Sequence, residues 1–247
     1  MARIRQEMVE VNGWLAEADL SYLGPDEDRI DLGHRFLRRI FNDGNLDRGG
    51  RLHHGFWQDM RKDQRRDFLR IEDRPIASVD FAQLSVRLAY AQVGAAPPDG
   101  DLYWVPRLGG NSREVVKRVM NAMFASDKVP TRIPQGTRSL FPARVSIGEV
   151  VAGITRRHAP LAHLFGSSLG TVHQNVESRV ILSAVLKLKT LGVVALPIHD
   201  CLLVRWDQAE LAKEVMEVAF EQVTGGKGQA EIAFSPSSPV TRQSKHS

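Results

Sequence analysis

Leu196-Pro197-Ile198-His199-Asp200-Cys201-Leu202-Leu203-Val204 is two apolar runs separated by one His-Asp pair. Aliphatic runs of strand length broken by two polar residues read as a β-hairpin, with strands over 193–198 and 202–206. A second stretch, Ala77-Ser78-Val79-Asp80-Phe81-Ala82-Gln83-Leu84-Ser85-Val86-Arg87, follows Arg74-Pro75 and reads as a strand over 76–81 that runs into an apolar helix through Leu84, Leu88, Ala91 and Gln92. Each stretch sets one carboxylate, Asp200 or Asp80, at the end of a strand, 120 residues apart. Between them a helix opens with Ser112-Arg113-Glu114-Val115-Val116-Lys117, for which Asn111-Ser112 is a suitable N-cap.

Outward from these stretches the chain alternates helices and strands without a regular βαβ rhythm, which predicts an α+β fold. Residues 1–20 carry Met8, Val11, Leu15 and Ala18 on one helical face, with Trp14 beside them. Gly24-Pro25-Asp26 breaks that pattern. The spacing of Leu32, Phe36, Leu37 and Ile40 predicts a second short helix, and Asn42-Asp43-Gly44-Asn45 a turn. Gly49-Gly50 reads as a loop; no Gly-Lys-Ser/Thr follows, so it is not a P-loop. Pro97-Pro98-Asp99-Gly100 ends the apolar helix, and 130–142 is loop-like, with three prolines. Helices are expected over 147–157, 171–191 and 208–223, with Gly192 as the C-terminal stop of the second. The segment from Ser235 onward is polar and expected to fray.

The 247 residues carry a net charge of +4, with 43% hydrophobic and 25% charged residues, which suits a folded, water-soluble domain. The charge is uneven. From Leu102 to Pro160 ten Lys/Arg face three Asp/Glu, a local charge of +7, and such an excess attracts phosphate or simply forms a solvated basic face. Cys201 is the single cysteine, so no intramolecular disulfide can form, which fits a reducing, cytoplasmic setting. No run approaches the ~18 apolar residues of a membrane span.

Two carboxylates at neighbouring strand ends suit a pair of Mg²⁺ ions, which prefer oxygen ligands and act together in nucleotidyl transfer. Either aspartate alone is more commonly a turn or cap residue; the pair together with the basic helix carries the reading. At about 100° per residue, Arg113, Lys117, Met120 and Phe124 share one stripe of that helix, so two cations can hold a triphosphate and an aromatic one turn on can stack on a base. The bland alternative is a surface helix with a basic edge and Phe124 in the core.

These stretches together resemble the motifs of family A DNA polymerases. The family's first motif, Asp-Tyr-Ser-Gln-Ile-Glu-Leu-Arg, is matched by Asp80-Phe81-Ala82-Gln83-Leu84-Ser85-Val86-Arg87. Its second, Arg, three residues, Lys and then Tyr-Gly on one helix face, is matched by Arg113, Lys117 and Phe124-Ala125; Lys117-Arg118-Val119-Met120 is also similar to phage-type single-subunit RNA polymerases. The third, His-Asp between apolar runs, is His199-Asp200. Gly50-Arg51-Leu52 and Gln174 resemble template-strand and minor-groove contacts. The departures are Ser85 where the family has a glutamate that helps exclude a ribose 2′-hydroxyl, Phe124-Ala125 for Tyr-Gly, and Cys201 where a glutamate is usual.

The resemblance implies a right-hand palm with an antiparallel sheet, a helical fingers element and a reduced or absent thumb. It divides the chain into an N-terminal helical region (1–48, a thumb remnant), palm (49–110), basic fingers-like segment (111–170), palm (171–234) and a disordered tail (235–247). It implies a template-directed nucleotidyltransferase using two Mg²⁺ ions on Asp80 and Asp200. Lys117 and Arg113 would hold the triphosphate, with Lys117 also placed to protonate the pyrophosphate leaving group. Gln83 and Ser85 would line the sugar side and Phe124 would stack near the nascent pair. Arg51, Gln174 and His199 would lie along primer and template, with Arg87 ordering the palm. Partners would be a nucleic-acid primer–template, nucleoside triphosphates and an accessory replication protein. Two other readings stand beside it: a non-catalytic, palm-derived nucleic-acid-binding module of a replication or mobile-element system, and an HD-type metal phosphohydrolase, whose His-Asp pair would sit on a helix.

Overall fold

The computed structural model describes residues 1–106, 108, 112–140 and 145–234. In chain order these form α1 (Ala2–Ala16), β1 (Leu20–Tyr22), β2 (Arg38–Asn42), β3 (Asn45–His53), α2 (Phe56–Asp59), α3 (Lys62–Phe68), β4 (Leu69–Ile71), β5 (Arg74–Phe81), α4 (Leu84–Gln92), α5 (Arg113–Ala125), α6 (Ile147–Arg157), α7 (Gly170–Thr190), β6 (Ala195–Ile198), β7 (Cys201–Arg205), α8 (Ala209–Thr224) and β8 (Ala230–Phe234).

The fold is α+β, built on an antiparallel sheet in the order β1-β4-β5-β7-β6. The long strand β5 organises it. β7 pairs along one edge, with Val79 opposite Leu202 and Asp80 opposite Cys201. The other edge is shared: β4 takes the first residues, with Arg70 opposite Pro75, and β8 takes Ala77 to Phe81. Alternation along β5 separates its two faces. Ala77, Val79 and Phe81 are buried, and the Phe81 ring meets Phe220 of α8 at 5.7 Å. Ser78 and Asp80 point to the opposite face, toward α3 residues across a cavity.

Helices α7 and α8 cover the sheet because their apolar positions recur at helical spacing. Val180, Ile181, Ala184, Val185 and Leu188 of α7 and Ala212, Met216, Ala219 and Phe220 of α8 are all buried in the main core. A second core gathers α5, α6, the segment through Leu161 and Phe165, and Leu102 to Val105. Helix α4 joins the two, giving Leu84 and Leu88 to the first and Val86, Ala89 and Tyr90 to the second.

Two expectations are corrected. Residues 32–40 form no helix; they lead into β2, which pairs with β3 in a separate two-stranded ribbon. Only Leu37 of the apparent helical stripe is buried, while Phe36 and Ile40 are 59% and 46% exposed. The deciding signal is the turn itself: Asp43 (φ 55°) and Gly44 (φ 63°) both take the left-handed backbone that a tight hairpin demands. Gly49-Gly50 is likewise no loop. It lies inside β3 at φ 69° and 85°, where the pairing register shifts opposite Phe41, and a Cβ on Gly50 would lie 2.9 Å from Arg39 and Phe41 side-chain atoms. Strands β1, β4 and β8 add to the sequence reading. The expected tail and Asn111 lie outside the described residues. Among those described, no helix is long and apolar enough to cross a membrane.

His158 ties the second core to the segment before α5. Its ring is fully buried; Nε2 donates to the Leu102 carbonyl and Nδ1 accepts from the Tyr90 hydroxyl, each at 2.9 Å. This pairing satisfies both nitrogens of the neutral imidazole. Burial accordingly lowers its pKa from about 6.5 to about 4, and His173 is lowered to about 4 for the same reason. Between those values the unfolded chain binds more protons than the folded one. The contribution of these two histidines to stability is therefore full above about pH 6.5 and falls as pH drops toward 4, against the opposite pull of the buried Asp200 and Glu177 carboxyls, whose pKa is raised. Unfolding free energies measured by urea titration from pH 7 to 4 should show this decline, and His158→Gln should flatten it; a pH-independent stability across that window would contradict it.

Candidate active site

Strand pairing brings the two aspartates together. Asp80 lies opposite Cys201, the residue after Asp200, and Phe81 N–H donates to the Asp200 carbonyl at 3.3 Å. His199-Asp200 is the two-residue link between Ile198 and Cys201. His199 turns the chain at φ 52°, a conformation histidine tolerates better than β-branched residues do. Asp80 and Asp200 line one cavity of about 240 Å³ with Ser78, Cys201, His199 and the α3 cations Lys62 and Arg65. Asp80 accepts from Ser78 Oγ at 2.7 Å, and Ser78 Oγ is 3.0 Å from Cys201 Sγ. Burial, reinforced by Asp80, pushes the Cys201 thiol far up, so it stays protonated. Burial also raises the Asp200 carboxyl, and repulsion from Asp80 adds to this, against the pull of its own backbone N–H, Arg51 and His199.

Asp200 also opens onto a second cavity of about 520 Å³, between the end of the sheet and α5. Arg51, Gln83, Ser85, Arg113, Lys117, Phe124 and Gln174 all line it. The structure therefore gathers the catalytic, metal-binding and substrate-binding residues named from the sequence around two cavities that share Asp200, with Asp80 and His199 on the smaller one, while Arg87 lines a different cavity.

Their surroundings differ. Lys117 is exposed and, among the described residues, makes no ion pair. Arg113 donates through Nε to Asp101 at 2.6 Å and lies over the Tyr103 ring at 5.4 Å. Arg51 is a closed fork, with Nε and Nη2 on the two oxygens of Glu177 at 2.7 and 2.8 Å. Burial pushes the Glu177 carboxyl up while Arg51 pulls it back. Gln83 takes φ 56° at the start of α4 and donates to Asp101 at 2.7 Å. Ser85 donates to Asn121 at 2.8 Å. Phe124 is 2% exposed, packed against Phe165 and His173 at 5.3 and 5.6 Å, so as placed it is wall rather than an open stacking platform. His199 meets His53 edge-on at 5.7 Å. Arg87 bonds Gln229, joining α4 to the segment before β8.

Asp101, Tyr103, Glu177 and Glu231 escaped the sequence reading. Glu177 is 126 residues from its partner Arg51, a separation that leaves no local trace. Glu231 sits opposite Asp80 on β8, a short strand with little pattern. Asp101 follows a Pro-Pro-Asp-Gly stretch that reads only as punctuation.

Among the described residues no group of three or more His, Cys, Asp or Glu side chains forms a metal cage. A divalent cation here would rest on Asp80 and Asp200, with other oxygens coming from ligand and water, which is the usual manner of Mg²⁺. Two adjoining carboxylates, one disfavoured by burial and by the other, fit such an ion.

No family model and no curated protein matches the chain. Among solved structures it is similar to the POL domain of Pol1 from M. smegmatis, in complex with DNA primer–template and dNTP, with a TM-score of 0.52 and 11% identity over 94% of this chain and 51% of that one. The chain thus spans about half the length of that polymerase chain. At this identity the likeness concerns the fold: an α+β, palm-like architecture shared with a DNA polymerase domain.

Because burial and Asp80 both disfavour the Asp200 carboxylate, Asp200→Asn should raise the thermal midpoint in metal-free buffer at pH 7, by about 2–4 °C for each kcal/mol relieved in a chain of this size. A lower midpoint in calorimetry would show that the charge is stabilising where it sits.

Proposed function

We propose that this chain is a template-directed nucleotidyltransferase of the DNA-polymerase kind, extending a primer 3′-hydroxyl with nucleoside triphosphates. The observation that carries this reading is the shared edge of the two cavities: Asp200 of the β6–β7 turn lines both, beside Asp80 of β5 in the smaller one and across the larger one from a helix presenting Arg113 and Lys117. The palm-like fold supports it, as does the polymerase-motif order of these residues along the chain.

In this reading Asp80 and Asp200 hold two Mg²⁺ ions, which supply activation of the attacking hydroxyl and charge neutralisation at the phosphates. Lys117 and Arg113 bind the triphosphate, and Lys117, with no competing ion pair among the described residues, gives a proton to the departing pyrophosphate. Gln83, Ser85 and Tyr103 border the sugar, and Gln174 and His199 lie along the primer–template. Arg51 serves more to hold α7 against the β2–β3 ribbon through Glu177 than to grip nucleic acid, because its fork is already occupied.

The binding-module reading draws on the buried Phe124, which leaves no open aromatic platform for a nascent base. The phosphohydrolase reading is disfavoured by the backbone at His199-Asp200, a hairpin turn rather than a helix.

Primer extension separates these readings. With Mg²⁺, a labelled DNA primer–template and dNTPs or NTPs, wild type should extend the primer. Asp80→Ala and Asp200→Ala should each lower the rate by at least about 10³-fold, on the scale of losing a principal electrostatic element, and Lys117→Ala by about 10²-fold. Nucleic-acid binding without extension would favour the binding module, and phosphate release without primer the hydrolase.

A further inference from the structure

Asp101 belongs to none of the sequence motifs, yet it touches three residues of the nucleotide cleft. Its Oδ1 accepts from Gln83 Nε2 at 2.7 Å and from the Tyr103 backbone N–H at 3.0 Å, and its Oδ2 accepts from Arg113 Nε at 2.6 Å. The segment that carries it is itself pinned, since the next residue, Leu102, is fully buried and its carbonyl is held by His158.

We propose that Asp101 is a positioning residue that aims Arg113 at the phosphates of a bound nucleoside triphosphate. This rests on the nucleotidyltransferase reading of the cleft. Three observations support it. First, Asp101 engages only Nε of Arg113. Among the described residues the two Nη groups have no acceptor, so the part of the guanidinium suited to phosphate stays available. Arg51 gives the contrast, its Nε and one Nη both taken by Glu177. Second, Asp101 comes from behind. Arg113 lines the 520 Å³ cleft, whereas Asp101 lines a different cavity of about 780 Å³ on the far side of Gln83. A phosphate entering the cleft meets Arg113 without displacing Asp101. Third, Tyr103, whose ring lies beneath the guanidinium, is 3% exposed and its backbone N–H is fixed on the same carboxylate. The arginine is therefore held from its edge and from one face.

The two carboxylate oxygens have separate tasks, and that makes a selective test available. Asp101→Asn keeps an oxygen for Gln83 and Tyr103 and replaces Oδ2 with an amide donor facing Arg113 Nε, so it breaks only the link to Arg113. Equilibrium binding of dATP and of dAMP should be measured by calorimetry in Mg²⁺ buffer for wild type, Asp101→Asn, Arg113→Ala and the double variant, with thermal midpoints recorded alongside. The expected result is a dATP affinity about tenfold lower in Asp101→Asn, the scale of one charge-assisted hydrogen bond. The dAMP affinity should be unchanged, and the double variant should be no weaker than Arg113→Ala alone. Unchanged or tighter dATP binding in Asp101→Asn would overturn the assignment, because Asp101 would then be idle or in competition with phosphate. Equal losses for dATP and dAMP would also overturn it, since the role would then be structural. Wild-type protein that binds neither nucleotide would remove the nucleotidyltransferase reading itself, and this assignment with it.

Discussion

The antiparallel pairing of β5 with β7 is the constraint on which the site depends. A register that sets Asp80 opposite Cys201 necessarily sets Asp200 beside the end of β5. Because side chains alternate along a strand, a slip of one residue would turn Asp80 into the core and Val79 out of it. The register is fixed from both sides. Val79, Leu202, Val204 and Phe81 must stay buried on their faces, and β8 repeats the constraint by pairing residue for residue with Ala77 to Phe81. The carboxylate pair is thus a consequence of hydrophobic packing, while its own electrostatics oppose the arrangement. Such opposition between local stability and site geometry is common at functional positions.

Charge around the cleft is divided between structure and chemistry. Arg51 and Glu177 satisfy each other and lash α7 to the β2–β3 ribbon 126 residues away. Arg113 is braced by Asp101 yet keeps donors in hand, and Lys117 extends from the same helix one turn on. The buried face of α5, with Val116, Val119, Met120 and Met123 at 0% exposure, anchors these cations. Motion of the helix would move both relative to the aspartates. Helix α4 has its two faces in different cores, with Gln83 capping its start and Ser85 in its first turn. A ligand bridging the aspartates and α5 would therefore bear on the packing between the two cores.

Much of this was legible in the sequence, for identifiable reasons. The hairpin at His199-Asp200 announces itself because strand-length apolar runs flank two polar residues, and α7 and α8 because their apolar positions repeat at helical spacing over many turns. The cleft residues were legible as motif positions. What the sequence conceals is long-range or brief. Leu32, Phe36, Leu37 and Ile40 mimic a helical stripe, yet the Asp43-Gly44 turn and pairing with β3 make their neighbourhood a ribbon. Gly49-Gly50 looks like a loop because a bulge within a strand and a loop use the same residue. Strands of three residues, β1 and β4, carry too few positions for a period to appear. Glu177 and Asp101 gain their meaning only from partners brought together by the fold, and Phe124, placed correctly on its helix face, is more deeply buried than the stripe suggests.

Asp80 and Asp200 are proposed to hold the two divalent cations at the end of the sheet. Titration of Mn²⁺ into the protein, followed by electron paramagnetic resonance with and without dNTP, tests it most directly. Wild type should bind the ion, more tightly with dNTP present, and both Asp80→Asn and Asp200→Asn should lose most of that binding while remaining folded. Mn²⁺ binding that persists unchanged in the double variant would place any metal elsewhere and contradict the claim.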